Sequence, residues 1–211
     1  MIQENLENKA LTEGHVLPLM EQFYTIQGEG FYSGHAAYFI RLGGCDVGCH
    51  WCDVKESWDA ELHPLTAVEK IVSDASAVAN LAVITGGEPL MYNLDYLTKK
   101  LKEAGLKTNI ETSGAYEMSG DFDWVCLSPK KAKLPTASAY AAANELKVVI
   151  YNKHDFIFAE EQAAKVNKDA LLLLQTEWSK RAVMMPLIIE YVKKNPQWKI
   201  SLQTHKYLDI P

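Results

Sequence analysis

The chain has 211 residues, 48% of them hydrophobic, which is enough for one sizeable core and excludes global disorder. Its formal net charge of −6 argues against a surface built to grip phosphates, so nucleic acid is not expected as a partner. No stretch reaches the roughly 18–20 apolar residues of a membrane span. The opening MIQENLENKALTEGH also lacks the basic start and apolar run of a secretory signal, so the expected location is cytoplasmic, away from the membrane.

Residues 1–17 read as a polar lead-in to a single domain spanning 1–211. AAYFIRL, ending at residue 42, predicts a buried strand; 66–75 has helical spacing; LAVITGG (81–87) predicts a strand ending in glycines. LDYLTKKLKEAG (94–105) is an amphipathic helix closed by Gly105. Strands follow at 107–114, 122–130, 145–151, 170–176 and 198–204, with helices at 154–166 and 183–194. Pro186 is expected in the first turn of the last helix. Strands alternating with helices imply βα units and a mainly parallel sheet. A complete eight-fold barrel takes about 250 residues, so the α/β fold expected here is a reduced, partial TIM-like barrel. In such folds the chemistry collects at the C-terminal ends of the strands. In this chain those ends carry GGC, TGGEP, ETSG, SPK, LQTE and QTHK.

Four cysteines in a chain expected in the cytoplasm are not a disulfide framework, and three of them lie within the eight residues 45–52. Cys45, Cys49 and Cys52 are spaced C-x3-C-x2-C. Three thiolates hold three irons of a [4Fe–4S] cubane and leave the fourth open to an external chelate. The amine and carboxylate of S-adenosylmethionine are such a chelate. A zinc site is the alternative, with His50 or Cys126 as fourth ligand. Cys126 by itself reads as a buried strand residue. Trp51 stands where an aromatic packs on an adenine.

The remaining clusters allow two readings each. Gly86, Gly87 and Glu88 form either a receptor for an ammonium group or an ordinary strand-to-helix turn. Gln27 and Glu29, between glycines, either read the edge of a heterocycle or are solvated in a Gly-rich turn. Arg41, on an apolar strand, is either in a structural ion pair or facing an anionic ligand. Ser128 and Lys130 hold a ribose or carboxylate, or cap a strand end. His205 alone reads as structural.

FYTIQGEG, FIRLGGC, CHWCD, TGGEP, ETSG, SPK, ELKVVI, LQTE and SLQTHKYLDIP, in that order, resemble the 7-carboxy-7-deazaguanine synthase family of the radical S-adenosylmethionine superfamily. The likeness runs from about residue 21 to the C-terminus. It implies a homodimeric enzyme that turns 6-carboxy-5,6,7,8-tetrahydropterin into 7-carboxy-7-deazaguanine with loss of ammonia. This is a radical ring contraction on the route to queuosine and other 7-deazapurines. It implies a [4Fe–4S] cluster, S-adenosylmethionine, magnesium, and flavodoxin or ferredoxin as reductant. By position, Cys45, Cys49 and Cys52 would bind the cluster. Gly86, Gly87, Glu88, Gly114, Ser128, Pro129, Lys130 and the segment Gln175, Thr176, Glu177 would bind the cofactor. Ile26, Gln27, Gly28, Glu29, Arg41, Thr112, His205 and Pro211 would lie on the substrate side. Thr176 stands where the family usually has proline. Val54 stands where many members have a magnesium-binding threonine, which puts that metal site in question. The rival within the superfamily is an activase that places a radical on a partner protein's glycine. It leaves Gln27, Glu29 and Arg41 without a shared purpose.

Overall fold

The computed structural model describes residues 8–211. Its elements are β1 (Val16–Ile26), β2 (Ala36–Leu42), β3 (Leu65–Ala67), α1 (Val68–Ser76), β4 (Leu81–Gly86), α2 (Asp95–Glu103), β5 (Lys107–Thr112) and β6 (Trp124–Leu127). There follow α3 (Ala137–Ala142), β7 (Glu145–Ile150), α4 (Asp155–Ala163), β8 (Leu171–Thr176), α5 (Arg181–Lys194), β9 (Trp198–Ser201) and α6 (Thr204–Leu208). Among the described residues the strands form one nine-stranded sheet, ordered β3-β1-β2-β4-β5-β6-β7-β8-β9. Every pairing from β2 to β9 is parallel, and only β1 pairs antiparallel, with β2 and β3. This is the reduced TIM-like barrel.

Side chains alternate across each strand, so every strand gives one face to the helices and one to the lumen. On the helix side, Ile40, Leu42, Ala82, Ile84 and Ile110 join one apolar cluster with Ile71 and Leu97. Leu127, Leu146, Val148, Ile150 and Leu174 join a second with Ala159, Met184 and Ile188. α1 buries Val68, Ile71, Val72 and Ala75, the i, i+3, i+4, i+7 stripe of a helix lying on a sheet. In the lumen, Ala37, Leu81 and Val83 make a small apolar plug with Tyr32 and Phe39. Further along the same strands the lumen turns polar.

Three expectations need correction. Residues 16 and 17 are not part of a polar lead-in: Val16 and Leu17 open β1, and Leu17 is fully buried. The rest of that lead-in is helical at 8–12, and residues 1–7 lie outside the described residues. The segment 66–75 begins as β3, which pairs with the start of β1, before α1 takes over. Pro186 sits in the second turn of α5, because a 3-10 turn at Trp178–Lys180, capped by Glu177, starts the helix at Arg181. Its missing N–H there removes one interior i→i−4 bond. Among the described residues no helix is long and apolar enough to cross a membrane.

Candidate active site

One cavity of about 360 Å³ opens at the C-terminal ends of the strands, and its wall includes Cys45, Cys49 and Cys52. That volume lies within the range of small-molecule sites. The cysteine loop leaves β2 and is held by its backbone. Gly44 N–H donates to Ser57 O at 2.6 Å, Cys45 N–H to Trp58 O at 3.0 Å and Glu88 N–H to Gly44 O at 2.9 Å. Tyr92 Oη donates to Gly43 O at 2.7 Å. Within the loop, Cys52 N–H donates to Cys49 O at 3.0 Å, a tight turn that brings both thiols to the same wall. Gly87 packs on this loop so closely that a Cβ there would strike Gly44 O and the Cys45 side chain. Three thiols on one wall, under a backbone turn with no side chains, suit a cubane that leaves one iron open. The proposed fourth zinc ligands lie elsewhere. His50 turns its ring toward Tyr151, 5.2 Å away. Cys126 is fully buried on β6, and burial pushes its thiol well up.

Trp51, Gly86, Gly87, Ser128 and Lys130 also line the cavity, as do Gln175, Thr176 and Glu177. Lys130 Nζ donates to Ser128 O at 2.6 Å and Oγ at 2.7 Å and stands 5.5 Å from the centre of the Trp51 ring. Burial lowers the pKa of this ammonium, with neighbouring Cys49 opposing. Glu177 caps the next turn, accepting from Ser179 N–H at 3.0 Å.

Glu88 takes a different place from the one its motif implied. It is 1% exposed and absent from the cavity wall. Its carboxylate accepts Leu90 N–H at 3.0 Å, Thr112 Oγ1 at 2.6 Å, Ser113 N–H at 2.8 Å and the Ser113 hydroxyl. All this lies inside the protein, so Glu88 ties the turn after β4 to the turn after β5. Thr112 lines the cavity, but its hydroxyl is spent on Glu88 and on accepting Gly114 N–H at 2.9 Å. Glu88→Ala would leave four buried donors without this partner, so it is expected to destabilise the protein by about 2–4 kcal/mol, read by thermal denaturation. A wild-type melting curve would rule this role out.

On the substrate side, Glu29 and Arg41 line the cavity. Arg41 Nε makes an ion pair with Glu21, its cross-strand neighbour, at 2.6 Å. Gln27 lies one layer back, donating to Glu111 Oε1 at 3.2 Å and accepting Glu29 N–H at 3.1 Å. Ile26 ends β1 opposite Ala36. Gly28 packs on the His205 ring, and its carbonyl accepts Thr204 N–H at 2.9 Å. Burial lowers the pKa of His205. Gly114 packs against Leu127 and Ala139, and Pro129 is buried. Neither they nor Ile26, Gln27, Gly28 and His205 reach the cavity wall.

Pro211 does not reach the wall either. Asp209 adopts a left-handed conformation (φ 56°) that ends α6, and the exposed last residue lies against Thr25, 3.5 Å from its hydroxyl.

Several lining residues were not among the site residues expected from the sequence. Glu111 and Lys147 are inward-facing residues of β5 and β7; Gln203, Lys206 and Trp178 come from loops and α6. Lys147 Nζ sits 2.6 Å from Glu29 and 2.8 Å from Glu111, and Gln203 Nε2 donates to Glu29 at 2.9 Å. ETSG holds Glu111, SLQTHKYLDIP holds Gln203 and Lys206, and in ELKVVI an acid and a lysine alternate on one face of a strand. Lys206 pairs with Asp53 at 2.9 Å, tying α6 to the cysteine loop.

The sequence pattern of the Radical SAM superfamily matches residues 39–122. A 7-carboxy-7-deazaguanine synthase from Flavobacterium psychrophilum is 65% identical over 202 residues, covering 96% of each chain. One from Synechocystis is 50% identical, covering 92% of this chain and 93% of the other. The crystal structure of QueE from Escherichia coli superposes with a TM-score of 0.80 at 31% identity, covering 90% of this chain and 96% of that one.

Proposed function

Because the chain belongs to the 7-carboxy-7-deazaguanine synthase family, we propose that its cavity binds 6-carboxy-5,6,7,8-tetrahydropterin beside S-adenosylmethionine and carries out the ring contraction to 7-carboxy-7-deazaguanine. The observation that carries this reading is that one cavity is lined both by the three thiols and by Glu29 with Arg41. When bound, the cluster and S-adenosylmethionine supply a carbon radical that takes a hydrogen from the substrate.

This chain's own residues hold and shield. Cys45, Cys49 and Cys52 anchor the cluster. Gly86 and Gly87, which line the cavity without side chains, leave room for the methionine end of the cofactor, and Lys130 with Trp51 borders its nucleoside end. Glu29 accepts from donor groups of the heterocycle, and Arg41 faces its carboxylate. A cavity floored by Glu29, Glu111 and Lys147 suits a small polar molecule; an activase of a partner protein has no use for such a floor. Asp46, Gly48 and His50 are exposed on the cysteine loop, which gives a flavodoxin or ferredoxin a place to deliver electrons. The same reading extends to a homodimer in the cytoplasm, checked by sedimentation.

Anaerobic reconstitution with iron and sulfide, then incubation with the carboxytetrahydropterin, S-adenosylmethionine and a reductant, tests the whole. The expected product is 7-carboxy-7-deazaguanine by mass; a reconstituted protein that cleaves the cofactor but leaves the pterin intact sinks the substrate assignment.

Magnesium fits this chain poorly. The ion prefers oxygen ligands in near-octahedral geometry, and Val54 supplies no side-chain oxygen. Asp53, beside it, already holds the Lys206 ammonium at 2.9 Å. Val54→Thr is therefore expected to lower the magnesium concentration giving half-maximal rate by several-fold. Superimposable titrations of wild type and variant would show that this position has no part in a metal site.

A further inference from the structure

Beneath the cavity runs a buried polar row that the reaction does not by itself require. Glu111 of β5, Cys126 of β6 and Glu145 of β7 are in register on neighbouring parallel strands, and one donor atom of each lies within 4.8 Å of the others. Two residues beyond Glu145, on the same face of β7, Lys147 reaches across the row. Its side chain is 5% exposed, and its ammonium bridges Glu29 and Glu111. Glu145 grips the same loop nearby. Its Oε2 accepts Phe31 N–H at 2.9 Å and Trp124 Nε1–H at 3.0 Å. Gly30 has φ +65°, and any Cβ there would strike Glu145 Oε1. Thus β7 fastens the 29–31 loop from two successive inward positions.

Two carboxylates sharing one buried ammonium are not equivalent. Burial pushes Glu29 up, but Lys147 and the amides of Gln203 and Gln175 bring it down to about 2. Burial raises Glu111 as well; Lys147 opposes this, and Glu145 and Glu29 push it further up. The other titratable groups facing this cluster are Cys126 of β6, Lys130 after β6 and His205 of α6. None of them replaces Lys147, the cation in direct contact with both acids.

We propose that Lys147 is a positioning residue for the substrate: it holds Glu29 as an ionised acceptor, braced on its other oxygen by Gln203, to receive the two N–H donors of a 2-aminopyrimidinone edge. This rests on the pterin reading above and adds which edge of the ring is read and what sets the reader.

The test is fluorescence titration of the reconstituted enzyme, with S-adenosylmethionine bound, by 6-carboxypterin between pH 5 and 7, below the range in which the pterin's own ring N–H ionises. This aromatic analogue keeps the same edge. Wild type is expected to bind with no pH dependence from Glu29. Lys147→Met should bind about 30-fold or more weakly at pH 5. Its affinity should recover as pH rises, because losing the cation lifts the Glu29 pKa and only the ionised form accepts both donors. Lys147→Arg, which keeps the charge but moves the carboxylate, should bind weakly with a flat profile; this variant carries the test if the methionine variant fails to fold. Glu29→Gln should bind weakly at every pH, and adding Lys147→Met to it should cost no further affinity. Wild-type affinity in Lys147→Arg and Lys147→Met, or full additivity in the double variant, overturns the proposal while the pterin reading stands. A wild-type enzyme that binds no pterin overturns both.

Discussion

Alanine in place of Cys45, Cys49 or Cys52 is expected to abolish cluster assembly and, with it, all cleavage of S-adenosylmethionine. Each thiol lines the same cavity, and the loop that carries them is fastened at Gly43, Gly44 and Cys45 by the backbone of 57–58 and Glu88 and by the Tyr92 hydroxyl. Because this scaffold does not depend on the thiols, each variant should fold and still lack iron. Three ligands with one open iron leave no spare donor to compensate for a missing one. Cys126→Ala is the control: it is fully buried on β6 beside Glu111 and Glu145 and takes no part in the cavity wall. About four irons per chain are expected in wild type and Cys126→Ala, and far fewer in the other three, by iron analysis and absorbance under anaerobic conditions. A Cys126 variant without iron, or a Cys49 variant with a full cluster, would overturn the assignment of ligands.

The roof of this site was legible in the sequence and its floor was not, for a physical reason. The cysteines, the glycines of TGGEP and the SPK turn are each local, since a loop around a cluster and a strand-end turn are built from consecutive residues. The parallel strands β2 and β4 to β9 were equally legible, because most are short apolar runs ended by turn-formers, and the polar β5 (KTNIET) lies between an amphipathic helix closed by Gly105 and the turn at Gly114. β1 escaped. Its apolar residues are interrupted by Pro18, Glu21 and Gln22, it is half exposed along its length, and its register with β2 breaks between Leu19 and Glu21. An antiparallel strand at the side of a sheet has no need of a continuous apolar run.

The floor depends on separations that no local pattern encodes. Lys147 meets Glu29 across 118 residues, and Gln203 meets the same carboxylate across 174. Glu88 misled for the same reason. GGEP presents a carboxylate next to the ligand, yet Thr112 and Ser113, brought alongside by the β4–β5 pairing, take up its oxygens.

Arg41 was left between two readings by the sequence, a structural ion pair or a ligand contact, and its geometry accommodates both. It lies on the lumen face of β2, in register with Thr85 of β4, and is 19% exposed. Glu21, its cross-strand neighbour on β1, takes Nε at 2.6 Å. A guanidinium has a second edge, Nη1 with Nη2, that matches a carboxylate through two parallel hydrogen bonds. Holding Nε fixes the plane of the group and so aims that second edge, while the side chain itself lines the cavity. Truncating one partner of a buried, hydrogen-bonded charge pair costs about 2–5 kcal/mol, so Arg41→Ala is expected to weaken binding of the carboxylated pterin roughly 30- to 5,000-fold. Iron content should not change. Arg41→Lys should recover little, because a single ammonium cannot both pair with Glu21 and present a planar fork. Glu21 is 44% exposed, so Glu21→Gln should shift affinity only a few-fold. Pterin lacking the 6-carboxylate should bind wild type and Arg41→Ala alike. That arm separates the two roles: if Arg41→Ala weakens both pterins equally, or weakens neither and only lowers the melting temperature, then Arg41 serves β1 and β2 alone and the substrate carboxylate is held elsewhere.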